Sequence, residues 1–324
     1  MNSKRHNEIR NSLKLKFDET FLQNYIISSS FLLVVAIFLN LRFSYSPVRF
    51  LSIPLITVFM FRSFAFMHEA VHCLLTKNLK LNQLLGVISG TFCLLSFESW
   101  KQAHLAHHKW SGNVDKDPVA AMIKRYPNFS STTQGILSFG WRIWFPALSL
   151  LQHSVFWGIT VQFTLTKKIT PRLFWSAIVP ILFWVCLVAL SPAPFIVSIL
   201  LPSILLYLIG TEIINAPHHL GLEYFFGDTQ IPISEQFKIA RSCVYPEWIS
   251  KWIVLNFNYH IEHHMYPFVP CYHLDKLHSV LKKELGSIYN QDPSFSWTFT
   301  NRKKDLGIVF GSDQVSLEYK KRVA

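Results

Sequence analysis

Ten of the chain's fourteen histidines fall into four short groups: His68 and His72; His104, His107 and His108; His218 and His219; and His260, His263 and His264. On a helix, residues three and four positions apart share a face, with Cβ atoms about 5–6 Å apart. Each H-x-x-H-H group therefore directs three imidazoles toward one point. Burying several imidazoles side by side is unfavourable unless something accepts their lone pairs, and neutral imidazole is the commonest protein metal ligand. The pattern predicts a metal centre, and imidazole suits iron, zinc, copper and nickel. Four carboxylates in or beside the groups, Glu69, Glu262, Asp115 and Asp117, are placed to accept the second ring N–H and hold each imidazole in one tautomer.

The elements that must carry these groups are apolar. Half of the 324 residues are hydrophobic, with 28 Phe and 10 Trp, too apolar for an ordinary soluble domain. Four stretches reach the roughly 17–25 residues needed to cross a bilayer: 25–42, 48–67, 173–191 and 193–214. The turns Ser44-Tyr45-Ser46-Pro47 and Ser191-Pro192-Ala193-Pro194 stop one helix and start the next, so the spans read as two transmembrane hairpins. The expected fold is an all-α integral membrane protein in one domain, 1–324, with a cytoplasmic helical cap built from 68–134 and 215–324. The net charge of +12 fits this topology better than a nucleic-acid partner. Lys4, Arg5, Arg10, Lys14 and Lys16 precede the first span, Lys77, Lys80, Lys101 and Lys109 follow the second, and Lys167, Lys168 and Arg172 precede the third. By the positive-inside rule both termini face the cytoplasm. Arg42 and Arg49 flank the first turn and run against the rule, but arginines at helix ends snorkel. The first apolar run begins late and lacks a small-residue cleavage site, so no cleavable signal is expected.

Two further apolar stretches, 83–98 and 135–166, would separate the histidine groups if either crossed the membrane alone. A single centre requires that they lie in the interface or re-enter. Arg142 and His153 among Trp141, Trp144 and Trp157 suit the headgroup region. The five cysteines, Cys73, Cys93, Cys186, Cys243 and Cys271, show no C-x-x-C spacing and read as packing residues in a reducing compartment. After Ser296 the chain is charged, with Arg302, Lys303, Lys304, Lys320, Lys321 and Arg322, and reads as solvated surface.

With its groups spaced as three histidine boxes, and with the wording HLAHHKWSGNVDKDP and NYHIEHHMYPFVPCYHL around two of them, the chain resembles the membrane fatty acid desaturases over about residues 50 to 280. The resemblance implies two iron ions held by His68, His72, His104, His107, His108, His219, His260, His263 and His264, with Asn215 reaching one metal through water. His218 stands where many bacterial relatives carry glutamate, and a helix-interior role, or one behind a ligand, is expected for it. Nine neutral ligands far exceed what tetrahedral zinc uses. The implied activity is dioxygen-dependent desaturation of a fatty acyl chain, with hydroxylation or ketone formation as close alternatives. The substrate would be an acyl lipid or acyl thioester entering from the membrane lipid past residues such as Phe64, Trp100, Trp110 and Phe257. No His-Pro-Gly-Gly haem-binding signature occurs, so electrons are expected from a separate ferredoxin or cytochrome, for which Lys101, Lys109, Lys116, Lys124 and Arg125 offer a basic face.

Two rival readings use the same residues. His68-Glu69-Ala70-Val71-His72 satisfies H-E-x-x-H, the zinc-protease motif, but leaves most of the clustered histidines without a role. A histidine-rich metal transporter would scatter its ligands along the spans, whereas these lie just beyond them.

Overall fold

The computed structural model describes residues 1–13, 15, 18–293, 296–312 and 314–315. Among the described residues four helices are long and apolar enough to cross a membrane: α2 (Glu19–Arg42), α3 (Ser52–Val71, entered by the tight turn Pro47–Leu51), α9 (Pro171–Leu190) and α10 (Ala193–His219). Each starts or turns where local chemistry demands it. Asp18 accepts from Phe21 N at 3.1 Å, Ser46 from Val48 N at 3.3 Å and Thr170 from Leu173 N at 3.2 Å, satisfying N–H groups that a helix start leaves without partners. The apolar windows in the sequence stop short of the helices. α3 and α10 run on through His68 and His219, because the histidines continue the backbone ladder beyond the apolar stretch. α2 and α9 leave large apolar side chains outside, among them Ile27, Phe31, Trp175 and Leu190.

The second apolar pair is splayed. α9 packs chiefly on α4 (Leu79–Phe92) and α5 (Phe97–Trp110) rather than on α10. α4 and α5 meet at a bend of 101° and return the chain to the end of α3, where His72 and His104 touch. The 83–98 stretch thus lies on this bent pair and not on one straight helix. The break frees backbone carbonyls, which in an apolar setting must find donors. Trp184 Nε1 donates to Thr91 O at 2.7 Å, Trp157 Nε1 to Leu94 O at 3.0 Å and Tyr207 OH to Cys93 O at 3.5 Å, with His153 Nε2 3.2 Å from that same oxygen. Gly86 lets the ring of Phe97 lie against α4, where any Cβ would collide with it.

The 135–166 stretch forms the end of α7 (Ser131–Arg142), reached through the short α6 (Ala121–Arg125), and α8 (Ala147–Leu165), joined by a turn with Trp144 at φ +65°. At the N-terminus α1 (Ser3–Ser12) docks His6 Nε2 against Met265 O at 2.9 Å. Beyond α10 come α11 (His260–Met265), α12 (Leu274–Leu285), α13 (Ser296–Asn301) and α14 (Leu306–Phe310). A three-residue parallel ladder, β1 (Ser242–Val244) with β2 (Gln291–Pro293), is an addition to the all-helical expectation.

Two expectations are corrected. Arg302 is 3% exposed, not solvated. Its guanidinium pairs with Glu212 on α10, donates to Trp141 O at 2.7 Å and lies over the Trp141 ring at 3.9 Å. α14 meanwhile contributes Leu306, Val309 and Phe310 to a buried cluster with Trp141 and Ile123. Apolar residues interleaved with the basic ones drive this burial; Lys303 and Lys304 stay exposed, and Lys320, Lys321 and Arg322 lie outside the described residues. Among the cysteines, Cys93, Cys243 and Cys271 are packed inside, whereas Cys73 and Cys186 are exposed.

Candidate metal centre

Four elements deliver the histidines to one place. His68 sits in the last turn of α3 and His72 ends it. α5 carries His104, His107 and His108, α10 ends on His219, and all six residues of α11 are buried. The ring nitrogens form two converging sets. In the first, His72 Nε2 lies 2.9 Å from His104 Nε2, that atom 3.0 Å from His108 Nε2, and that one 2.8 Å from His263 Nε2. In the second, His107 Nε2 lies 3.1 Å from His219 Nε2, which is 2.8 Å from His260 Nε2, itself 3.1 Å from His264 Nε2. His68 belongs to the first set: its ligand atom and those of His72, His104 and His263 lie within 4.8 Å of one another, as do those of the second set. His108 stands between the sets, its ring 4.6 Å from His263 and 4.5 Å from His264.

The other ring nitrogen decides what these contacts mean. His107 Nδ1 is 2.9 Å from Asp117 Oδ2, His219 Nδ1 is 2.8 Å from Ile239 O, and His264 Nδ1 is 3.0 Å from Gln236 Oε1. Each Nδ1–H donates, leaving the Nε2 lone pairs facing one another. Lone pairs gathered in this way repel unless a cation lies among them. His68 Nε2 is buried with no hydrogen-bond partner. An all-imidazole donor set with an orphaned inward nitrogen fits two metal ions of the borderline class that includes iron.

Burial disfavours the charged form of His72, His260, His263 and His264, and metal binding requires the neutral one. Desolvation lowers His72 to about 4. His260, His263 and His264 are driven well below the ordinary histidine value, first by desolvation and then by neighbouring imidazoles.

The remaining candidates divide. Asn215 lines a cavity of about 130 Å³ together with His104, His107 and His219. Phe64, Trp100 and Phe257 line it too, with the Trp100 ring stacked 4.7 Å from His104. Trp110 does not: it lies outside, under the ammonium groups of Lys116 at 4.2 Å and Lys109 at 5.3 Å. His218 is buried and stacked 4.1 Å from His260, neither of its nitrogens has a hydrogen-bond partner among the described residues, and it falls in neither converging group. Asp117 holds a box histidine as expected, and Glu69 Oε1 approaches His68 Nδ1 at 3.4 Å. Glu262 instead accepts from Ser242, Tyr289 and His278, and Asp115 from Gly227 N and Lys124. On the basic face Lys116 and Lys124 already pair with Asp228 and Asp115.

Sequence reasoning missed Gln236, which also donates through Nε2 to His108 O at 2.9 Å, and Ser111, whose Oγ is 3.3 Å from His264 Nδ1. Gln236 lies in a short 3-10 helix, Ile233–Lys238, 28 residues from His264, with no spacing signal to mark it.

Residues 45–293 match the family described as Fatty acid desaturase. The chain is 24% identical over 263 residues to an sn-1 oleoyl-lipid 12-desaturase of Picosynechococcus sp., covering 78% of this chain and 72% of that relative. It is 23% identical over 261 residues to an sn-1 acyl-lipid omega-3 desaturase (ferredoxin) of Nostoc sp., covering 71% of this chain and 66% of the relative. A shorter stretch of 52 residues is 36% identical to an oleate hydroxylase of Claviceps purpurea, covering 16% of this chain and 11% of that protein.

Proposed function

The chain belongs to the fatty acid desaturase family, and from that premise we propose that it is a dioxygen-dependent di-iron desaturase acting on a fatty acyl chain. The observation that carries the reading is the pair of converging Nε2 sets. His68, His72, His104, His108 and His263 would hold one iron and His107, His219, His260 and His264 the other, with Asn215 reaching the second through water. Bound there, two irons would activate dioxygen, the oxidant, for removal of hydrogen from an unactivated C–H bond, with electrons from a separate donor. The chain supplies orientation and exclusion of water. Asp117, Ile239 O and Gln236 fix three imidazoles, while Phe64, Trp100 and Phe257 form an apolar wall along which an acyl chain lies beside the histidines.

The whole chain reads as one domain with both termini and the cap, 68–134 and 215–324, on the cytoplasmic side. A ferredoxin-type donor is favoured by the Nostoc relative, and an acyl lipid by both cyanobacterial ones. Hydroxylation is a second reading, favoured by the Claviceps relative. The H-E-x-x-H protease reading fits poorly: it uses only His68 and His72 of the eight imidazoles that converge in two groups, and Glu69 Oε2 is engaged by Cys271 N at 2.9 Å. Metal analysis of the purified chain tests the proposal, with two irons per chain expected and new double bonds in the lipids of an expressing host. A single zinc, or lipids identical to those of an empty host, would overturn it.

A further inference from the structure

Within the cap, residues 246–253 carry two large indoles on the outside: Trp248 is 60% and Trp252 58% exposed. The segment is a wide turn ending in a π-helical stretch, Ile249–Ile253. Ser250 N donates to Pro246 O at 3.0 Å and Val254 N to Ile249 O at 3.0 Å. Its place is set by Arg62, a buried guanidinium on α3. Arg62 Nη1 donates to Trp252 O, Nε to Ser29 Oγ at 2.8 Å and Nη2 to Ser28 Oγ at 2.7 Å, and the group lies 4.1 Å over the Tyr25 ring. Tyr25, Ser28 and Ser29 all belong to α2. The segment is therefore clamped against both membrane-spanning helices at the level of Arg62, six residues and about 9 Å along α3 from His68 toward the bilayer interior.

At that level α2 turns Ile27 and Phe31, 66% and 65% exposed, to the outside. Trp252, whose carbonyl Arg62 holds, lies at this same level. Lys251 and Glu247, the charged side chains of the segment, pair at 2.6 Å. Indoles are the side chains that gather at membrane interfaces, with an apolar body and one N–H for the headgroup region. We propose that residues 246–253 are immersed in the bilayer interface, with Trp248 and Trp252 among lipid headgroups and upper acyl chains. The cap is then anchored in lipid a few residues before Phe257 and His260, and the third histidine box hangs from that anchor.

The inference rests on α2 and α3 spanning the membrane and not on the chemistry of the metal centre. The test uses the full chain in nanodiscs made with phosphatidylcholine brominated near the glycerol end of its acyl chains. The emission lost in Trp248→Phe with Trp252→Phe is compared with that of the parent. Phenylalanine keeps the apolar bulk, and each single substitution provides the same difference should the pair fail to fold. The difference emission is expected to be blue-shifted, to lose most of its intensity to the brominated lipid, and to resist aqueous iodide. Trp175, 60% exposed on α9, reports whether the bundle itself lies in lipid. Quenching of the remaining tryptophans by lipid, together with quenching of the difference emission by iodide alone, would overturn the anchor. No lipid quenching of any tryptophan would overturn the membrane reading and the anchor with it.

Discussion

The two histidine sets hold their imidazoles by different means. In the second set three of four rings are tethered through Nδ1, to Asp117, the Ile239 carbonyl and Gln236. In the first set the only such contact among the described residues is the 3.4 Å approach of Glu69 to His68, and the rings are held by packing instead. Trp100 stacks on His104, Phe257 stands edge-on to His68 at 4.8 Å, and His263 lies 4.2 Å from His68. A hydrogen bond fixes both the angle of a ring and its tautomer, whereas packing fixes only the angle. The second set is thus pre-organised in proton position as well as in space, and the first depends more on the metal to select its tautomers.

Removing a ligand should erase the contrast. His107→Ala in the second set and His263→Ala in the first are both expected to abolish turnover and lower bound iron, measured by metal analysis beside lipid profiling. Full iron and full activity in His107→Ala would break the two-set geometry.

Loss of a tether should separate the sets. Asp117→Asn and Gln236→Leu are each expected to weaken metal binding about 10–100-fold with the protein folded, and chelator titration should show one of two irons lost first. Equal loss of both would show that the sets do not act separately. Glu69→Gln should cost less than about tenfold, because its contact to His68 is long and its other oxygen serves Cys271 N. A complete loss of activity with metal retained would instead favour a general-base role for Glu69.

Protonation offers a further probe, read most directly at His72. His72 takes up a proton near 4 in the folded chain and near 6.5 when unfolded, so the unfolded state binds more protons between those values. The metal-stripped protein should therefore lose stability as pH falls from 6.5 toward 4, by up to about 1.4 kcal/mol per pH unit for this group. Denaturant midpoints should fall over that window in the parent and less steeply in His72→Gln. The smallest effect is expected from Glu262→Gln. Glu262 serves Ser242, Tyr289 and His278 rather than a box histidine, so iron should stay bound while stability drops about 1–3 kcal/mol.

The chemistry of the centre was legible because ligand spacing within a helix is a local property. A separation of three or four residues fixes a shared face whatever surrounds it, so His104, His107 and His108 could be read as one group before any fold was known. The four apolar stretches were legible for the same reason, since the length needed to cross a bilayer belongs to each segment alone. Asp117 was also within reach, ten residues from the histidine it holds. Residues whose role depends on a partner far along the chain were not. Glu262 sits inside a box, yet its carboxylate turns to Tyr289, and Gln236 carries no motif at all.

What the amino-acid sequence determined by itself, then, is the kind of ligand, its grouping, and the helices on which it rides. The gathering of the imidazoles into two groups of four with His108 between them, the bent pair α4 and α5 that brings His104 back to His72, and the burial of Arg302 against Glu212 were decided only by the tertiary structure. Each of these brings together residues separated by 32 to 155 positions. Such contacts follow from how the bundle satisfies carbonyls and buries charge in an apolar surrounding, a condition on the assembled helices that no single stretch of sequence can express.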